Sequence, residues 1–271
     1  MNKKNETALV TGASGGIGYA LAKCFAEDGY DLVIVSRNRE KLNQIAETFR
    51  QKYGIGVTVL AKDLFRPNAP SEIFIELHEK SIPVDVLVNN AGFGMYGYFA
   101  DLGLPRQMDT IQLNIATLTH LTKLFLPAMI ERRKGKILNL ASTAAFQPGP
   151  IMAVYYATKA YVLSFSEALA EELKGCGIQV SVLCPGPTES DFQEAAGIDH
   201  EIALFKVTMM TAERVAKIGY RGLMKGKRVI VPGFTNWLFA TGQRLIPRSC
   251  VIALVRFLQE RKKKIHNAAV N

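Results

Sequence analysis

Apolar and polar positions follow two rhythms along this chain. Short apolar runs rich in Val, Ile and Leu recur at Thr7–Thr11, Asp31–Ser36, Val57–Ala61, Val84–Asn89, Lys136–Leu140, Gln179–Cys184 and Arg228–Val231. Their length and β-branched content predict strands. Longer segments lie between them, with apolar residues at helical spacing: Ile17–Asp28, Arg39–Lys52, Ser71–Lys80, Pro105–Asn114, Thr117–Arg133, Ala153–Lys174 and Thr211–Met224. The strand runs do not alternate in polarity, which is the signature of strands buried on both faces. Strand–helix alternation with short connections therefore predicts a doubly wound α/β fold with a mainly seven-stranded parallel sheet. No repeat or linker interrupts the pattern before about residue 234, so residues 1–233 read as one domain and 234–271 as an extension.

Composition narrows the class. Hydrophobic residues make up 48% of the 271 and charged residues 21%, ordinary for a globular protein with a sizeable core. The start, Met1 to Glu6, enters the first strand with no hydrophobic leader run. Cys24, Cys176, Cys184 and Cys250 have no metal-ligand or redox spacing, so reduced thiols in a cytoplasmic protein are expected. His78, His120, His200 and His266 are scattered, and neither a metal site nor a Ser/His/acid triad suggests itself. Charge is uneven. From Arg221 onward there are eleven Lys/Arg and one acid, net +10, against 22 bases and 23 acids before it, net −1. The excess belongs to the tail and points to an anionic partner there.

The first strand runs into Thr11-Gly12-Ala13-Ser14-Gly15-Gly16-Ile17-Gly18 and then a helix. Glycines there allow a tight turn, backbone approach to a pyrophosphate and close helix–strand packing, while the helix N-terminus offers free N–H groups to phosphates. The second strand ends Val35-Ser36-Arg37-Asn38-Arg39, with no acid to bond ribose hydroxyls. Arg37 can fork onto a 2′-phosphate with Ser36 as second donor, so NADP is expected over NAD. Further on, Tyr155 and Lys159 stand four apart and share one helix face. Tyr156 does not, and is expected to pack. A nearby ammonium lowers a phenol's pKa toward the working range, so Tyr155 is expected to serve as the acid–base group.

In these residues the sequence resembles the short-chain dehydrogenase/reductase family, over Thr7 to Val231. The glycine loop matches T-G-x-x-x-G-x-G, Asn89-Asn90-Ala91-Gly92 matches N-N-A-G, and Tyr155-x-x-x-Lys159 matches Y-x-x-x-K. Ser142 stands thirteen residues before Tyr155, Asn114 falls at the family's helix asparagine, and Pro185-Gly186 follows the sixth strand. The resemblance implies a Rossmann fold with Asn114, Ser142, Tyr155 and Lys159 as the catalytic set. Lys159 would also bond the nicotinamide ribose, Ser142 would hold the substrate oxygen, and Asn114 would position a water linking Lys159 to solvent. Cofactor contacts carry over to Gly12, Ser14, Gly15, Gly16, Ile17 and Gly18, and to Ser36 and Arg37. They extend to Asp63 and Leu64 at the adenine, to Asn90, Ala91 and Gly92 at its ribose, and to Pro185, Gly186 and Thr188 on the nicotinamide side. Ser190 stands where the family often has threonine, and keeps the hydroxyl. The resemblance also implies a homodimer or homotetramer, joined through two long helices flanking the sheet.

The segment from about 191 to 210 is expected to cover the substrate. Its apolar residues, with Phe93, Met95, Tyr96 and Phe146 on other loops, either border a small apolar carbonyl or alcohol substrate or fill the core under a lid helix. The extension carries Trp237, Leu238, Phe239, Leu245 and Ile246, an apolar stretch from Val251 to Leu258, and Arg261-Lys262-Lys263-Lys264. Polar interruptions leave no span of ~20 apolar residues, so two short amphipathic helices are expected. These can dock on the body, join a subunit interface or lie on an anionic membrane surface. No recognition motif supports nucleic-acid binding. The expected activity is NADP-dependent interconversion of a ketone and a secondary alcohol. A 3-oxoacyl reductase and a non-catalytic NADP-binding sensor are the alternatives.

Overall fold

In the computed structural model, residues 6–189 and 209–260 are described. Seven strands form one parallel sheet: β1 (Thr7–Thr11), β2 (Asp31–Ser36), β3 (Val57–Ala61), β4 (Val86–Asn89), β5 (Gly135–Leu140), β6 (Ile178–Leu183) and β9 (Val229–Ile230). Their order is β3-β2-β1-β4-β5-β6-β9. The chain winds outward from β1 to β3, then returns to place β4 on the other side of β1, with Ala8 opposite both Leu32 and Val86. Connections therefore diverge at the C-terminal ends of β1 and β4, the place where such sheets open a binding crevice.

Side chains leave each strand alternately toward two apolar layers. Ala8 and Val10 join α1 (Gly16–Glu27) and α2 (Arg39–Tyr53) in one core, where Leu21, Phe25, Leu42 and Phe49 are buried. Leu9 joins the other, beneath α3 (Ala69–Glu79), with Ile73 and Leu77. Each such side chain contributes about 1.5–3 kcal/mol on burial. This two-sided burial explains why the strand runs read as continuously apolar.

The two helices expected at Pro105–Asn114 and Thr117–Arg133 are one continuous run. It comprises α4 (Leu104–Ile111), a π-helical turn (Gln112–Thr117) and α5 (Leu118–Glu131). The wider turn shifts the phase of the apolar face, which in the sequence looks like a break. It also buries the Asn114 side chain. A 3₁₀ turn (Thr143–Phe146) and α6 (Ala153–Glu172) follow β5.

After β6, β7 (Thr188–Glu189) pairs in parallel with β8 (Met210–Thr211). Ser190 and most of the expected substrate cover, 191–208, lie outside the described residues. Its final two residues do not, and Met210 begins the short strand β8. Beyond α7 (Ala212–Met224), the tail forms the two expected short helices, α8 (Phe234–Gly242) and α9 (Arg248–Gln259). The basic run Arg261–Lys264 lies outside the described residues.

Candidate active site

A cleft of about 470 Å³ opens at the C-terminal ends of β1 and β4. Every expected site residue lines it except Asn114, which is buried behind its wall, and Ser190, which lies outside the described residues. Its floor is backbone. Gly12 adopts φ +67° while its N–H donates 2.8 Å to the Val35 carbonyl. A Cβ on Gly12 would sit 2.8 Å from the Asn90 amide, and one on Gly18 would overlap the Gly12 carbonyl oxygen. The α1 N-terminus has no side-chain cap, so its first N–H groups face the cleft with the positive end of the helix dipole.

Thr11 ties this floor to the next strand. Its hydroxyl accepts from the Asn90 and Ala91 N–H groups at 2.9 and 3.0 Å, and the Asn90 side chain donates 2.8 Å to the Thr11 carbonyl. Asn89, by contrast, turns into the core, donating to Thr122 and Asn139 at 3.1 and 2.9 Å. Beyond the glycines, the Ser36 hydroxyl is buried with no hydrogen-bond partner among the described residues, while Arg37 is exposed with its guanidinium 5.4 Å over the Phe65 ring. Asp63 caps a turn by accepting from the Phe65 N–H at 3.2 Å, and the Leu64 carbonyl accepts from Thr117 at 2.9 Å. An open helix N-terminus, a glycine floor, an orphaned hydroxyl and a loose guanidinium fit a dinucleotide phosphate chain. Lys62, which sequence reasoning passed over, also lines the cleft and pairs with Glu72 and Glu76.

The opposite wall carries the acid–base candidates. Tyr155 is half-buried and hydrogen-bonded to Ser142, whose hydroxyl also donates 3.3 Å to the Pro185 carbonyl. Lys159 is 4% exposed; its ammonium donates 2.8 Å to the Leu140 carbonyl and lies 5.7 Å from the Tyr155 ring centre. Asn114 accepts from the Phe93 N–H at 2.9 Å and donates to the Phe93 carbonyl and to Thr158, whose hydroxyl donates to the Tyr155 carbonyl. A Cβ on Gly92 would meet both the Lys159 nitrogen and Asn114 at 3.3–3.4 Å, so glycine gives both groups room.

Desolvation acts on both members of the Tyr155–Lys159 pair. Burial pushes the Tyr155 phenol up to about 12, against the lowering effect of the Ser142 hydrogen bond. Burial likewise holds the Lys159 ammonium down at about 8. Desolvation is the larger influence on the phenol, and the hydrogen bond from Ser142 opposes it.

The substrate-side residues are only partly those the sequence suggested. Phe93 lines the cleft; Met95 lines a small neighbouring pocket with Met152 and Tyr155, and Phe146 packs against the apolar cluster that holds Leu118 and Val162. Tyr156 is buried, yet it borders the cleft as well as filling the core. Two tail residues went unnoticed. Asn236 of α8 lies so close beneath Gly186 that any Cβ there would overlap its amide. Gln259 of α9 enters the cleft lining and hydrogen-bonds the Tyr156 and Tyr96 hydroxyls. Nothing in local sequence marks either, because both act across the whole length of the chain.

A family model described as short chain dehydrogenase matches residues 6–201. The very-long-chain 3-oxoacyl-CoA reductase of Anas platyrhynchos is 33% identical over 95% of this chain and 84% of its own. The Mus musculus protein of that name matches over 58% of its length. A short-chain dehydrogenase from Sphingobium yanoikuyae, solved in complex with NADPH, superimposes with TM-score 0.80 at 30% identity, covering 98% of both chains. The bulky-bulky ketone specific alcohol dehydrogenase of Comamonas testosteroni gives 0.76 at 26% identity, covering 100% of this chain and 98% of that one. The chain belongs to the short-chain dehydrogenase family and is an oxidoreductase of carbonyl and alcohol groups.

Proposed function

We propose that this protein uses NADPH to reduce an apolar ketone to a secondary alcohol. The observation that carries the reading is Tyr155: a phenol hydrogen-bonded to Ser142 in the lining of the same cleft as the glycine floor. Tyr155 gives its proton to the carbonyl oxygen as negative charge develops there, and Ser142 holds that oxygen in line. Lys159 supplies positive charge beside the phenol as the proton leaves. Asn114 fixes the Phe93 backbone and, through Thr158, the helix turn bearing Tyr155. The nicotinamide, when bound, supplies the hydride.

Gly12, Ser14, Gly15, Gly16, Ile17 and Gly18 would hold the pyrophosphate, and Ser36 and Arg37 the 2′-phosphate. Asp63, Leu64, Asn90, Ala91 and Gly92 would border the adenosine. Tyr155, Lys159, Pro185, Gly186, Thr188 and Ser190 would border the nicotinamide end. The exposed Arg37 and the lack of an acidic residue at the end of β2 support NADPH over NADH. A carbonyl panel followed by loss of NADPH absorbance tests the activity; turnover with NADH at equal or higher kcat/KM would refute the cofactor choice. A 3-oxoacyl thioester is the second reading, supported by the similarity to the duck reductase and by the basic tail.

The tail supports peripheral membrane contact by an otherwise cytoplasmic protein. Phe234, Leu245 and Phe257 are 76%, 91% and 77% exposed on and between α8 and α9, ahead of the Arg261–Lys264 run. Apolar side chains beside basic ones suit an anionic lipid surface. Failure to co-sediment with anionic vesicles at low salt would remove this reading. The long run Leu104–Glu131 also passes for a membrane span by length and composition, but Leu121, Phe125 and Met129 are buried in the core. The outer faces of α5 and α6, with Ile130 and Tyr161 exposed, are the proposed surfaces for a homodimer or homotetramer.

A further inference from the structure

We propose that the apolar surface made by residues 98–108 and the tail helices α8 and α9 seats the substrate end of the cleft on an anionic lipid surface, so that the ketone reaches Tyr155 out of the bilayer rather than from water. The inference rests on the reductase reading of the cleft. It extends the tail contact to a second, distant stretch of chain and to the route of the substrate.

Exposed apolar side chains are unevenly placed. Among the described residues, twelve of the fifteen large ones fall in 98–108 or 234–257, and only Ile75, Ile130 and Tyr161 lie elsewhere. Single exposed apolar residues are ordinary on a protein surface, whereas a cluster marks an interaction site. None falls in residues 6–74, which carry most of the nucleotide end. Phe99 and Leu104 are 65% and 67% exposed on the first stretch. On α8, Asn236 and Ala240 are buried while Phe234, Trp237, Leu238 and Phe239 are exposed, and that helix carries no charged residue. On α9, Val251, Val255 and Gln259 form the buried stripe, and Leu254 and Phe257 are exposed together with Arg248 and Arg256.

The two stretches meet in the fold and border the chemistry. The Tyr96 hydroxyl bonds the Gln259 carbonyl and the Tyr98 hydroxyl donates 2.7 Å to Glu260, which fastens the chain next to Phe99 to the C-terminal end of α9. The buried stripe of α9 packs with Ala144, Met152 and Tyr156, all of which line the cleft. Phe99 shares a small pocket with Met152 and Tyr155, which line the cleft too. The apolar surface therefore reaches the cleft wall beside Tyr155 from two sides.

Charge selects the occupant. A second copy docked through the same patch would set tail against tail, each with eleven bases and one acid from Arg221 onward. Anionic lipid meets that tail with opposite charge, and apolar side chains beside arginines suit the headgroup boundary. An apolar ketone leaves water for the same layer.

The test uses phosphatidylcholine vesicles with and without phosphatidylglycerol, at low salt. Trp237 is the sole tryptophan of the chain, so its emission reports α8 directly. Phe99→Trp combined with Trp237→Phe moves the reporter to the other flank. In cofactor-free protein both reporters should shift to the blue on anionic vesicles and be quenched by brominated lipid. If the Trp237 reporter enters lipid and the one at position 99 stays in water, the inference is overturned and the tail contact stands; if neither enters, both fall. With NADPH, a long-chain ketone dissolved in anionic vesicles should be reduced about tenfold faster than in neutral ones. Leu104→Glu should remove that gain while a short water-soluble ketone is reduced within about twofold of wild type, with NADPH affinity and thermal midpoint reporting folding. Equal rates in the two vesicle types, or a gain that survives Leu104→Glu, overturn the inference. So does a vesicle-free dimer that Leu104→Glu splits, which would assign the surface to a second copy. Both reporters entering lipid with no ketone reduced overturns the reductase reading alone.

Discussion

The two ends of the cleft are built from different materials. At the nucleotide end the contacts come from strand ends, glycines and main-chain N–H groups within the first ninety-two residues, locked together by Thr11 and Asn90. At the substrate end they come from side chains of α6, α8 and α9, brought together by packing across more than a hundred positions, as with Tyr156 and Gln259. The first end has one backbone solution and little freedom to vary. The second is an assembly of side chains on docked helices, and it can change what it accepts without disturbing the sheet. Four substitutions and one control substitution probe that division.

Tyr155→Phe removes the proton donor together with its hydrogen bond to Ser142. Turnover should fall by about 10²–10⁴-fold while NADPH affinity, read by fluorescence titration, stays within a few-fold. Loss of cofactor binding would mean that the two ends are not separable. Gly18→Ala strikes the other end, where the added Cβ overlaps the Gly12 carbonyl oxygen and the Asn90 amide. Overpacking at such a site costs about 1–3 kcal/mol, so NADPH affinity should drop by roughly 5–150-fold. Gly242→Ala, where a Cβ meets nothing, should leave binding unchanged.

Lys159→Met should abolish activity yet stabilise the fold. Burial holds the ammonium's pKa at about 8, well below its ordinary value, so the folded state carries a penalty for the charge at neutral pH. Relieving it should add about 2–3 kcal/mol to unfolding free energy at pH 7. The sign follows from the depressed value: below pH 8 the wild type holds a disfavoured proton, and between about 8 and 10 the penalty fades. The advantage of the variant in denaturant midpoint should shrink over that window, and an advantage independent of pH would contradict the assignment. Val255→Ala is the mildest. It loosens α9 by about 1–2 kcal/mol and should raise ketone KM several-fold with NADPH affinity intact.

The same division decides how much of the molecule was readable before its structure. The sheet and its helices were legible because a parallel strand buried on both faces leaves an uninterrupted apolar run. The glycine floor was legible because positive φ and close approach admit few residue types. The π-helical turn around Asn114 was not, since a phase slip in an apolar stripe looks like a chain break. Neither was the desolvation of Tyr155: spacing places Lys159 near it but says nothing of how dry the wall is. Asn236 and Gln259 left no local trace, because docking a helix from far along the chain depends on shape, not pattern.

The Tyr96–Gln259 contact also has a consequence in time. The two residues are 163 positions apart, and β1 needs only β2 and β4 to shape the nucleotide floor. During synthesis the sheet that holds the cofactor can assemble while α9 is still to be made. In such a chain the glycine floor is already complete while the α9 part of the cleft lining is still missing.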